Sequence, residues 1–196
     1  MTKTTRADYL SHFPHDGTDN SLRLQALIEA RDNRKFEIDL YWKRAGYFWL
    51  FIGAMFVAYV SPQAQSAPAL AFLVACSGFV FSLAWYFANR GSKFWQENWE
   101  FHVDLLEDDI SGPAYKTVVY EDQHRLYALH KPYPFSVSKI NQLLSLYMTA
   151  VWLGLIVRTL AAVCDAPNFM PTKYKALIIL VCTTVAAVSL YIFGRT

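Results

Sequence analysis

The sequence predicts an all-α integral membrane protein: four transmembrane helices with long cytoplasmic helical extensions and a small two-stranded element between the second and third. Three observations predict it. The 196-residue chain is 54% hydrophobic and 16% aromatic, richer in aromatics than ordinary globular proteins. Its charges are segregated, with none from Ala45 to Asn89. Further apolar runs follow, and about 20 helical residues suffice to cross a hydrocarbon core of about 30 Å. A net charge of +2 gives no ground for nucleic-acid binding. No secretory signal is expected, because the chain opens polar and its apolar run starts late. Cys76, Cys164 and Cys182 are odd in number and lie in or beside apolar runs, so they read as buried thiols rather than a disulfide framework.

The elements follow in order. Residues 1–20 are polar, contain Pro14 and Gly17, and are expected to be poorly ordered. Asp19, Asn20 or Ser21 can cap a helix over 21–60, whose final part, about 45–60, is the first span. A break near Asp32 and Asn33 is the alternative to one continuous helix. "SPQAQSAP" (61–68) supplies a turn. The second span, about 69–87, meets no strong breaker and is expected to run on as a cytoplasmic helix to residue 110. "SGP", with Gly112 and Pro113, stops it. "AYKTVVYE" reads as a strand that "HRLYALHKPYPF" can pair with, giving a two-stranded element over 114–135. Ser136 or Ser138 can cap the helix leading into a third span at 142–164. "DAPNFMPTK" is the next loop, and the fourth span covers 176–194.

Basic flanks orient these spans. Lys43, Arg44, Arg90, Lys93, Lys139 and Arg195 fall on one side if the spans alternate, against Lys173 and Lys175 on the other. Both termini and the middle region are therefore expected in the cytoplasm. Within the spans, small residues including Gly53, Gly78 and Gly154 permit close helix approach. Those faces either pack the bundle of one chain or join protomers. Arg158, a lone ion inside the third span, either snorkels or pairs structurally, or serves a pore, a lipid or an interface.

The segment "RGSKFWQENWEFHVDLLEDDISGP" (90–113) carries the most information. At 100° per residue, Trp95, Trp99, His102, Val103, Leu106 and Ile110 share one face, while Glu97, Glu100, Asp104, Glu107 and Asp108 gather roughly opposite. Phe94, Phe101 and Leu105 form a third flank. Two apolar faces on one helix need two sets of partners: the N-terminal helix and a neighbouring protomer are the candidates. The acidic face of Glu97, Glu100 and Asp104 could attract cations or a basic cytoplasmic partner. His102 lies far round from the acids, so no metal site is expected, and His12 and His15 lack further ligands. No phosphate loop, nucleophile elbow, CxxC or HExxH occurs, so no cofactor or catalytic residue is expected.

The stretch "RGSKFWQENWEFHVDLLEDDISGPAYKT", set after two predicted spans and before two more, resembles the RipA-family octameric membrane proteins of bacteria. "RKFEIDLYWKRAGYFWLFIGA" and "FSVSKINQLL" extend the likeness more weakly. The resemblance implies an inner-membrane homo-octamer with cytoplasmic extensions and no assigned activity. The leading expectation is a non-enzymatic oligomeric scaffold in contact with membrane lipids. The alternative is a ring-shaped channel, for which Arg158, Thr149, Ser82, Thr183 and Thr184 are the few polar side chains on offer.

Overall fold

A computed structural model describes residues 5–13, 21–117, 133–164 and 169–194. Its elements are α1 (Arg6–Ser11), α2 (Ser21–Val60), α3 (Pro62–Ser66), α4 (Pro68–Leu106), α5 (Val137–Cys164) and α6 (Phe169–Phe193). No strand occurs among the described residues. The two-stranded element is therefore corrected: residues 114–117 form turns and 133–136 are irregular, while 118–132 lie outside the described residues. The cause is the way α4 ends. Gly112 takes a φ of 72°, open to glycine at little cost, and turns the chain back. Thr117 N then donates to Pro113 O at 3.1 Å and Tyr115 N to a Glu107 side-chain oxygen at 3.1 Å. "AYKT" is consumed by these local bonds rather than by a ladder.

Among the described residues, two helices, not four, are long and apolar enough to cross a membrane: Pro68–Leu106 and Val137–Val163. Only 39% and 28% of their apolar windows are buried inside the chain, so these are not ordinary soluble core helices. The expected first span, about 45–60, and fourth span, 176–194, are not among them. The uncharged part of α2 from residue 45 to 60 extends about 24 Å at 1.5 Å per residue, and a longer window takes in Lys43 and Arg44. Within α6 the described apolar stretch is Ala176–Ile192, shorter than the two spans. α2 itself is unbroken over 40 residues. α4 stops at Leu106, before the expected residue 110.

The chain divides into two compact units, one of Met1–Tyr41 with Ser92–Phe135, the other of Trp42–Gly91 with Ser136–Thr196. The second unit is organised around Trp152, which is fully buried. Its indole stacks on Phe56 at 4.3 Å, meets Tyr59 edge-on at 6.1 Å and lies directly over Gly78. Phe72, Ala75, Cys76 and Ile156 close the cluster. A second seam between α4 and α5 is polar. Asn89, 3% exposed, donates from Nδ2 to Asn141 O and Ser145 Oγ, each at 3.3 Å. In a low-dielectric setting such bonds pin the two helices in register. The opposite side of α5, including Leu143, Tyr147, Leu153 and Val157, faces outward.

Candidate functional site

The first unit holds the chemistry-bearing residues. Leu27 and Ala30 of α2 meet Val103 and Leu106 of α4 in a small core. The N-terminal segment contributes α1, capped by Thr5, whose hydroxyl accepts from Asp8 N at 3.2 Å. Tyr9 and Leu10 of α1, with Phe13 just after it, lie on the same core beside Trp99. His102 sits between Trp99 (ring centroids 5.2 Å apart) and Tyr9 (5.4 Å), and the Tyr9 hydroxyl lies 2.7 Å from its Nδ1. Trp99 and His102, expected as partners of another helix or protomer, are thus packed against this chain's own first helix. Trp95 is not: it is 39% exposed and touches Phe94 edge-on at 5.5 Å.

Burial disfavours the imidazolium and lowers the His102 pKa below its ordinary 6.5. The stabilisation that this neutral ring provides is complete above about pH 6.5 and is lost as pH falls through the lowered folded value. Thermal melting should therefore weaken on acidification below about pH 6.5, and His102→Gln should flatten that part of the profile. An NMR titration placing the His102 midpoint at or above 6.5 would refute this.

The acidic face is laced with cations. Glu97 pairs with Lys93 at 3.5 Å. Glu100 pairs with Arg34 at 3.4 Å and with Lys93 at 3.9 Å. Asp104 pairs with Lys116 at 3.4 Å, and Asp108 with Lys116 at 2.9 Å and Arg6 at 2.6 Å. The Lys116 hydrogen bonds hold Asp108 below the usual carboxylate range, and Asp108 in turn raises Lys116. These partly exposed pairs contribute little to stability singly, but they neutralise the face. Arg31 and Arg34 also lie over the Tyr115 ring, at 5.4 and 5.5 Å. Glu97, Glu100, Asp104, Arg34, Phe101 and Tyr115 line a pocket of about 470 Å³.

Sequence reasoning missed Lys93, Lys116, Arg34 and Tyr115. The Lys93–Glu97 spacing was a readable i,i+4 signal; Lys116 joins only because the turn at Gly112 returns it. No group of three His, Cys, Asp or Glu able to hold a metal occurs among the described residues. The apolar edge of Phe94 (42% exposed), Trp95 and Phe101 (66%) remains uncovered. Elsewhere, the indole of Trp152 fills the space beside Gly78, whereas an added Cβ at Gly53 or Gly154 would meet nothing within 4 Å. Arg158 is exposed on α5.

Two helices of spanning length, a charge-laced helical unit and an uncovered aromatic edge define the class: a helical membrane protein. The chain belongs to the octameric membrane protein family (8xMP), whose model matches residues 24–161, from early α2 to late α5. Comparisons with curated proteins and with solved structures found no match.

Proposed function

We propose that this chain is a non-catalytic organiser of the bacterial inner membrane that works as a homo-octamer, with copies meeting along the outer edge of α4. The observation that carries the reading is the exposed row Phe94, Trp95 and Phe101. It lies on a helix segment whose carboxylates already have cationic partners within the chain. Large aromatics left uncovered beside neutralised charge suit a buried protein contact, where such side chains act as anchors. The family's name supports self-association. Arg90 and Lys93 near the charged end of α4 and Lys139 at the start of α5 favour a cytoplasmic position for the segment joining the two spans. The N-terminal helices pack on that segment within one unit.

Detergent-extracted wild type should weigh as eight copies by light scattering. Phe94→Ser combined with Phe101→Asp should shift it to smaller species while circular dichroism keeps its helical signal. An eight-copy particle persisting in the double variant would remove this reading.

A further inference from the structure

The second unit has an unusual charge balance. Across its two segments it contains Lys43, Arg44, Arg90, Lys139, Arg158, Lys173, Lys175 and Arg195, but Asp165 is its only acidic residue, and Asp165 lies outside the described residues. Arg158 is the cation set within the apolar part of α5, six residues before its end and so about 9 Å from it along the axis. It is exposed and has no ion pair among the described residues.

Beside it opens a cleft of about 110 Å³, lined by Tyr59, Gln65, Thr159 and small residues that include Ala64 and Ala162. A single water needs only roughly 10–15 Å³ by the same kind of measure, so the cleft admits a larger polar group. Its walls are held in place. Gln65 donates from Nε2 to Tyr59 O at 2.7 Å, which leaves its Oε1 and second N–H available. The Thr159 hydroxyl is spent on Leu155 O at 2.7 Å. Arg158 supplies a planar fork of donors that matches a phosphate. One turn further into α5 is Gly154, with open space at its Cβ position, flanked by exposed Leu153 and Val157.

We propose that Arg158, with Gln65 beside it, binds the phosphodiester of an anionic phospholipid, whose acyl chain lies over Gly154. Each part has its chemistry: a cation without an acidic partner among the described residues near the end of a spanning helix, a largely apolar cleft with Gln65 and Arg158 among its lining for the head, and open space at Gly154 between exposed apolar side chains for the acyl chain. The site lies in a different unit from the proposed association edge and does not depend on that reading. Free inorganic phosphate presents the same oxygens, and the test separates the two sources.

The test is native mass spectrometry of the full-length protein titrated with phosphatidylglycerol, phosphatidylethanolamine or inorganic phosphate. Wild type should retain phosphatidylglycerol over phosphatidylethanolamine. Arg158→Gln should lower that retention about tenfold, the order expected for losing a charge-assisted contact, and Arg158→Lys should restore part of it. Gly154→Leu should weaken lipid retention with the charge intact, and it carries the test if Arg158→Gln does not fold. Equal retention of the two lipids, or undiminished phosphatidylglycerol binding in Arg158→Gln and Gly154→Leu, would overturn the proposal. So would displacement of the lipid by inorganic phosphate, which would mark a soluble-anion site.

Discussion

Gly78→Val should sharply lower the melting temperature of the detergent-extracted protein, whereas Gly154→Val should change the packing within one chain very little. The indole of Trp152 occupies the space that a side chain at position 78 would need. It cannot slide aside, because Phe56 is stacked on it at 4.3 Å and Tyr59 meets its edge. The strain must then separate α4 from α5, and overpacking of this kind costs about 1–3 kcal/mol. Trp152→Ala should cost more, about 3–5 kcal/mol, since it empties the centre of the cluster. In that background Gly78→Val should be far less harmful, with a coupling of roughly 0.5–3 kcal/mol between the two sites. Thermal unfolding of the four variants measures this, and equal melting shifts for Gly78→Val in both backgrounds would refute the contact.

Glu107→Ala should loosen the turn that follows α4. Glu107 is fully buried, and its Oε2 accepts the Tyr115 amide at 3.1 Å. Removing the carboxylate leaves that amide without its acceptor, at a cost of about 1–3 kcal/mol. The effect should concentrate on residues 112–117, where Lys116 is the clasp to Asp104 and Asp108. Limited trypsin digestion should cut after Lys116 faster than in wild type, and hydrogen exchange should accelerate at Tyr115. Unaltered cleavage and exchange would show that the turn stands without Glu107.

Much of the helical plan was legible from residue order. The 3.6-residue period of the 90–113 segment placed Val103 and Leu106 on a buried stripe, and α2 proved to cover them. Pro62 and Pro68 marked the interruption between long helices, because proline starts a helix far more readily than it continues one. Three things were not legible. The apolar runs at 45–60 and 176–194 looked like spans because they lack charge, yet the first is short and borders Lys43 and Arg44, and the described part of the second, Ala176–Ile192, is shorter than the two spans found. Val118, Val119 and Tyr120, which suggested a strand, lie outside the described residues, and the flank at 114–117 is committed to turns. The Trp95–Trp99 face was read as one surface. α1, from a segment too polar to suggest packing, splits it by covering Trp99 and leaving Trp95 open. Of the packing glycines, only Gly78 proved to need its missing side chain within the chain. That distinction depends on which large residue lies opposite, which spacing along one helix does not encode.

The seam at Asn89 bears on how the protein is made. Asn89 lies just beyond the apolar stretch of α4 and next to Arg90, so while α4 is alone its carboxamide can be satisfied by interfacial water. Its bonds to Asn141 and Ser145 become available only once α5 has been synthesised and inserted. A nascent chain halted before α5 therefore has α4 inserted but not yet fixed in register, and the arrival of the second helix exchanges water for these protein partners.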